Sequence, residues 1–130
     1  MYVLDTNTLI YFFKGVGNVA KNLFNHSPRE IGIPSIVLFE LEVGIAKSSA
    51  PDKRMKQLEE IISIVSILDF TAKEARVAAA IRAQLEKTGT PIGPFDTLIG
   101  ATALANQSTL VTHNIKEFSR INKLPIEDWY

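Results

Sequence analysis

Three carboxylates interrupt the most apolar parts of this 130-residue chain. Asp5 ends a short apolar run in Val3-Leu4-Asp5-Thr6-Asn7, Glu40 lies inside the apolar residues 35–44, and Asp96 opens a second apolar segment that reads as a helix over 95–106. An isolated buried carboxylate costs several kcal/mol or takes up a proton, so any compact fold must compensate these groups with hydrogen bonds, basic partners or a cation. We read them as ligands of one metal site.

The pattern around them alternates short apolar runs with helical periodicity. Residues 2–4, 31–33, 65–68 and 109–112 read as strands, with an edge strand over 124–126. Helices are predicted over 9–13, closed by Lys14-Gly15; from Asn18 to about residue 26; over 35–48 after Pro34; and from Pro51 with Met55, Leu58, Ile61 and Ile62 at helical spacing. Thr71 followed by Glu74 forms a capping box before a helix ending near residue 87, and a short helix follows over 115–120. Strands alternating with helices predict an α/β/α sandwich around a mostly parallel sheet of four or five strands, as one domain over residues 1–130. Sites in such sheets lie beyond the carboxyl ends of the strands, where Asp5 and Thr112-His113-Asn114 fall.

Taken alone, Asp5 reads as a helix N-cap. Glu40 and Asp96 are harder to explain by packing, because each has a glycine four residues on, Gly44 and Gly100, so a side chain is missing on the same helical face. The expectation is space for a ligand beside each acid. Glu42, about 200° around the helix from Glu40, reads as solvated. Hard oxygen donors, with no cysteine and two histidines in the chain, select Mg²⁺ or Mn²⁺ over zinc. Both histidines read as structural or exposed.

Composition narrows the setting. The absence of cysteine excludes disulfides, thiolate zinc sites and cysteine nucleophiles and suits a reducing compartment, so the expected location is the cytoplasm. No segment reads as a membrane span or signal peptide, and no membrane partner is expected. Fourteen basic and fourteen acidic residues leave no net field toward a polyanion. A nucleic acid must therefore be held by a local patch. Lys47, Lys53, Arg54 and Lys56 cluster at the link between two helices and are the candidates for tracking a nucleic-acid phosphate backbone. Lys14, Arg82 and Lys87 are further cations whose positions the pattern leaves open.

The start VLDTN at residues 3–7, Glu40 in its Phe-Glu-Leu context, residues 94–103 (PFDTLIGATA) and residues 110–120 (LVTHNIKEFSR) together resemble PIN-domain ribonucleases of the VapC toxin type. The ending LPIEDW at residues 124–129 is similar to the subgroup that cuts initiator transfer RNA. The resemblance implies a metal-dependent endoribonuclease with Asp5, Glu40 and Asp96 as its acidic cluster and Thr6, Asn7 and Thr112 as polar neighbours. Many relatives carry a fourth acid where this chain has Asn114, and Glu117, one helical turn on, is the candidate replacement. It also implies a homodimer, a VapB-type antitoxin lying across the cleft, and promoter DNA bound only through the antitoxin complex; metal-assisted attack by water would leave 5′-phosphate and 3′-hydroxyl ends.

Two other readings compete. A haloacid-dehalogenase-type phosphatase also begins with an Asp at the end of a first strand, but it requires a second Asp where this chain has Asn7. A PIN-fold binding module without strong catalysis is the other alternative, because Asn114 breaks the four-acid pattern.

Overall fold

A computed structural model describes all 130 residues. Five strands, β1 (Tyr2–Leu4), β2 (Ile31–Pro34), β3 (Ser66–Leu68), β4 (Thr109–Val111) and β5 (Ile126–Glu127), form one sheet in the order β3-β2-β1-β4-β5. Every pairing is parallel. Seven helices accompany it: α1 (Thr6–Lys14), α2 (Val19–Phe24), α3 (Ser35–Ala46), α4 (Pro51–Ile62), α5 (Ala72–Lys87), α6 (Pro94–Ala105) and α7 (Ile115–Phe118). The chain winds outward from β1 to β3, then returns to β4 on the other side of β1. With right-handed crossovers, those two directions put helices on both faces, giving the α/β/α sandwich.

The strands are short and almost wholly apolar because a parallel sheet is covered on both sides. Val3, Leu4, Ile31, Ile33, Leu110 and Val111 are at most 1% exposed and lie in a core of 23 buried apolar residues. Leu58 and Ile61 join that core, so the apolar face of α4 is largely internal. Gly15 takes a left-handed conformation (φ 67°) and stops α1, as its position after Lys14 predicts. The capping box of Thr71 and Glu74 forms as expected. No helix is long and apolar enough to cross a membrane.

Apart from a 3-10 turn at Pro28–Glu30 that the sequence reading did not expect, differences from the expected elements are confined to their ends. The helix expected to reach residue 48 stops at Ala46, α7 is four residues long, and the last strand begins at Ile126. Asn18 occupies the N-cap position of α2 but makes no side-chain capping bond; its backbone carbonyl is instead reached by the Asn22 amide side chain.

Candidate active site

The sheet order places a topological switch between β1 and β4, and Asp5 sits at that point, immediately after β1. Its backbone N–H donates to Val111 O at 3.2 Å. Its side chain is 4% exposed and fully engaged: Oδ1 accepts from the Thr8 backbone N–H at 2.9 Å, and Oδ2 accepts from the Thr112 hydroxyl at 2.6 Å. Asp5 is therefore the N-cap of α1 as well as a candidate site residue. One carboxylate serves both purposes because α1 starts at the carboxyl edge of the sheet.

Glu40, half-buried on α3, accepts a hydrogen bond from the Thr6 hydroxyl at 2.7 Å. Asp96 lies in the first turn of α6. Beyond β4, the Thr112 hydroxyl accepts from the Asn114 backbone N–H at 2.9 Å, while the Asn114 amide donates to Glu117 Oε2 at 3.0 Å. Thr6, Thr112, Asn114 and Glu117 thus all take part in the hydrogen bonding around the acids. Asn7 does not: it is exposed on α1 and bonds none of them.

Electrostatics link the acids. Burial foremost, then the charges of Asp5, Glu117 and Glu40 and a hydrogen bond with Glu117 that favours the protonated form, together push the Asp96 carboxyl up to about 6. Burial also raises Asp5, against the lowering effect of its bonds to Thr112 and Thr8. None of the chain's four ion pairs involves any of these four acids. A concentration of hard oxygen donors without a cationic partner has the chemistry of a divalent-cation site. No three acidic or histidine side chains are preassembled to hold an ion, however. Glu40, Asp5 and Glu117 each bond a partner of their own: Thr6, the pair Thr8 and Thr112, and Asn114.

The two glycines behave differently. A Cβ at Gly44 would meet nothing within 4 Å, and Gly44 lines a cleft of about 380 Å³ with Glu40, as expected of space beside an acid. At Gly100 the expectation fails. A Cβ there would come within 2.5 Å of Ile121 Cδ1, and Phe118 lies at 3.6 Å, so the missing side chain admits core packing rather than a ligand.

Among the proposed RNA-binding residues, only Arg54 lines the cleft; Lys47, Lys53 and Lys56 are exposed outside it. Two contributors escaped the sequence reading. Thr8 is 2% exposed, and besides holding Asp5 it donates its hydroxyl to Val111 O at 3.1 Å. Its position three residues after an N-cap was the available signal. Asp128, whose charge also raises Asp5, accepts from or pairs with His113 Nδ1 at 2.9 Å, and no local pattern announced it. Both histidines are structural: His26 stacks on Trp129 at 4.9 Å between ring centroids, and His113 stacks on Tyr130 at 4.2 Å.

The family model of the PIN domain matches residues 2–124, which include all the acids gathered near the switch point of the sheet. The chain belongs to the PIN-domain family. It is 38% identical over 128 residues to the tRNA(fMet)-specific endonuclease VapC of Salmonella typhimurium, covering 98% of this chain and 97% of that protein. It is also 38% identical over 137 residues to ribonuclease VapC2 of Rickettsia felis, covering 99% and 98%. The VapC-like chain in the crystal structure of DNA-bound VapBC from Salmonella typhimurium superposes with a TM-score of 0.92 at 37% identity, covering 99% of this chain and 98% of that one. Within the family, the chain stands with the VapC ribonucleases.

Proposed function

We propose that this chain is the ribonuclease toxin of a VapBC toxin-antitoxin module and that it hydrolyses transfer RNA, with the initiator species as its target, in a reaction dependent on Mg²⁺ or Mn²⁺. The observation that carries the chemistry is the gathering of acids: beside its burial, the charges of Asp5, Glu117 and Glu40 all raise Asp96, which stands at about 6, and none of the four is ion-paired. The tRNA(fMet)-specific name of the Salmonella relative supports the target.

Asp5, Glu40 and Asp96 would hold the cation, with Asn114 and Glu117 completing the polar wall. A divalent ion held there supplies Lewis-acid polarisation of the scissile phosphate and a water acidic enough to attack it. The chain's own contribution is to fix the donors. Thr112 and Thr8 lock both oxygens of Asp5, Thr6 orients Glu40, and Asn114 restrains Glu117. Asp96 holds a proton below about pH 6 and must release it before it can act as a ligand. Because the attacking water comes from solvent, the RNA's own 2′-OH is not needed, and the products carry 5′-phosphate and 3′-hydroxyl ends.

The partners follow the same reading. A VapB-type antitoxin is proposed from the VapBC complexes among the solved relatives, and contact with promoter DNA would run through that complex. Phe39, Val43 and Phe95 are 52%, 38% and 44% exposed, with the Phe39 and Phe95 rings 5.7 Å apart. This contiguous apolar surface on α3 and α6 supports a homodimer.

The deciding experiment incubates purified, antitoxin-free protein with total transfer RNA, with Mg²⁺ or Mn²⁺ and with chelator, beside Asp5→Asn and Asp96→Asn. Metal-dependent cleavage abolished in both variants is expected. Cleavage that survives chelation, or that leaves 2′,3′-cyclic phosphate, would exclude the mechanism.

A further inference from the structure

The cleft that Glu40 lines continues away from the acids between α1, α3 and α4. Its apolar lining includes Ile10, Phe13 and Leu41, and two cations, Lys14 and Arg54, lie on it. Neither cation takes part in any of the chain's ion pairs. Arg54 is held in place: Nη1 donates to Gln57 Oε1 at 2.9 Å, and Gln57 Nε2 in turn donates to Phe13 O, one residue before Lys14, at 3.4 Å. This chain of bonds ties the start of α4 to the end of α1.

Helix stability accounts for Lys14, which sits in the last turn of α1 where the macrodipole favours a cation. It does not account for Arg54. Arg54 is the fourth residue of α4, close to an N-terminus whose dipole disfavours positive charge. A guanidinium oriented by a neighbour, in a cleft that also holds a second cation without an ion-pair partner and a candidate active-site acid, suits an oxyanion. Gly44, with open space at its Cβ position, leaves room for a strand passing from Glu40 toward both cations.

We propose that Lys14 and Arg54 form a phosphate subsite that holds a backbone phosphate of the RNA next to the one that is cut. The inference rests on the ribonuclease reading. A chain with no net charge has no long-range attraction for RNA, so its grip must come from a few local contacts such as these.

The test measures binding of a fluorescent single-stranded RNA oligomer and of total transfer RNA in an Asp96→Asn background that does not cleave, over a range of salt. The variants are Lys14→Ala, Arg54→Ala and Arg54→Lys, with Lys21→Ala on the exposed face of α2 as control; circular dichroism verifies folding. Each alanine variant should lose about tenfold in affinity at low salt, and the slope of log affinity against log salt should shrink by about 0.7. Arg54→Lys should recover part of the affinity, and in the cleaving protein the loss should appear in KM with kcat retained. Unchanged affinity and slope in both alanine variants would overturn the subsite. So would variants that bind RNA as the parent does but no longer capture a co-expressed VapB-type antitoxin, which would make the cleft a protein-docking groove. If the parent neither binds nor cleaves any RNA, the ribonuclease reading itself fails and the subsite with it.

Discussion

The Thr112 hydroxyl donates to Asp5 Oδ2 at 2.6 Å across 107 residues of sequence, and the same oxygen accepts the Asn114 backbone N–H at 2.9 Å. One buried hydroxyl therefore links the ends of β1 and β4 to the turn that carries Asn114. Thr112→Val keeps the shape and removes both bonds. A buried hydrogen bond to a charged group is worth about 1.5–3 kcal/mol, so urea unfolding should register a loss of that order. Cleavage should fall about tenfold, because Asp5 Oδ2 loses its hydrogen bond and only the Thr8 N–H still holds the carboxylate.

Asp96 carries an opposite and testable sign. In the folded chain it keeps its proton up to about pH 6, against an ordinary value of 3.8. Between those limits the folded state binds the extra proton, so stability contributed by this group is present below pH 3.8 and is lost as pH rises through 6. In chelator, Tm should drop between pH 5 and pH 7, reflecting about 1–2 kcal/mol for a half-buried group. Asp96→Asn should flatten that drop, and Mg²⁺ or Mn²⁺ should restore stability at pH 7 but not at pH 5. A wild-type profile identical to that of Asp96→Asn would contradict the strain at this site.

Glu74 acts in the reverse direction and in a lower window. It is 2% exposed, bonded to Thr71 by side chain and backbone and to the Asn106 amide at 3.2 Å, and the Thr71 hydroxyl is the main reason its carboxyl is lowered to about 2 from 4.5. Its contribution is present above pH 4.5 and lost as pH falls toward 2. Glu74→Ala should cost about 1–2 kcal/mol at pH 7 from the lost cap, and this penalty should shrink on acidification. RNA cleavage per folded molecule should be unchanged, since Glu74 lies away from the acids of the site.

Gly44→Ala and Gly100→Ala should move stability in opposite directions. At Gly44 an added methyl meets nothing, so the gain in helix propensity, about 0.5–1 kcal/mol, should appear as a higher Tm. At Gly100 the methyl would lie 2.5 Å from Ile121 Cδ1, so Ile121, itself 3% exposed, would have to repack inside the core. Overpacking should outweigh the propensity gain and leave a net loss of about 1 kcal/mol. Equal effects at the two positions would refute the packing role assigned to Gly100.

What the chain determined by itself was local. The strand runs, the stop at Gly15, the N-cap at Asp5 and the capping box at Thr71 and Glu74 all depend on residues within a few positions of one another, so periodicity and capping rules recover them. The sheet's parallel character followed from alternation of strands and helices, and the acids stood out because apolar surroundings make a carboxylate costly. Tertiary structure decided the rest. It brought Glu117 against Asp96, turned Arg54 into the cleft while leaving Lys47, Lys53 and Lys56 outside, left Asn7 in solvent, and filled the gap at Gly100 with Ile121. Two helical acid-and-glycine faces that look alike in sequence diverge because the space beside a glycine belongs to whichever distant side chain packs there. That choice is made by the core as a whole, not by the helix that carries the glycine.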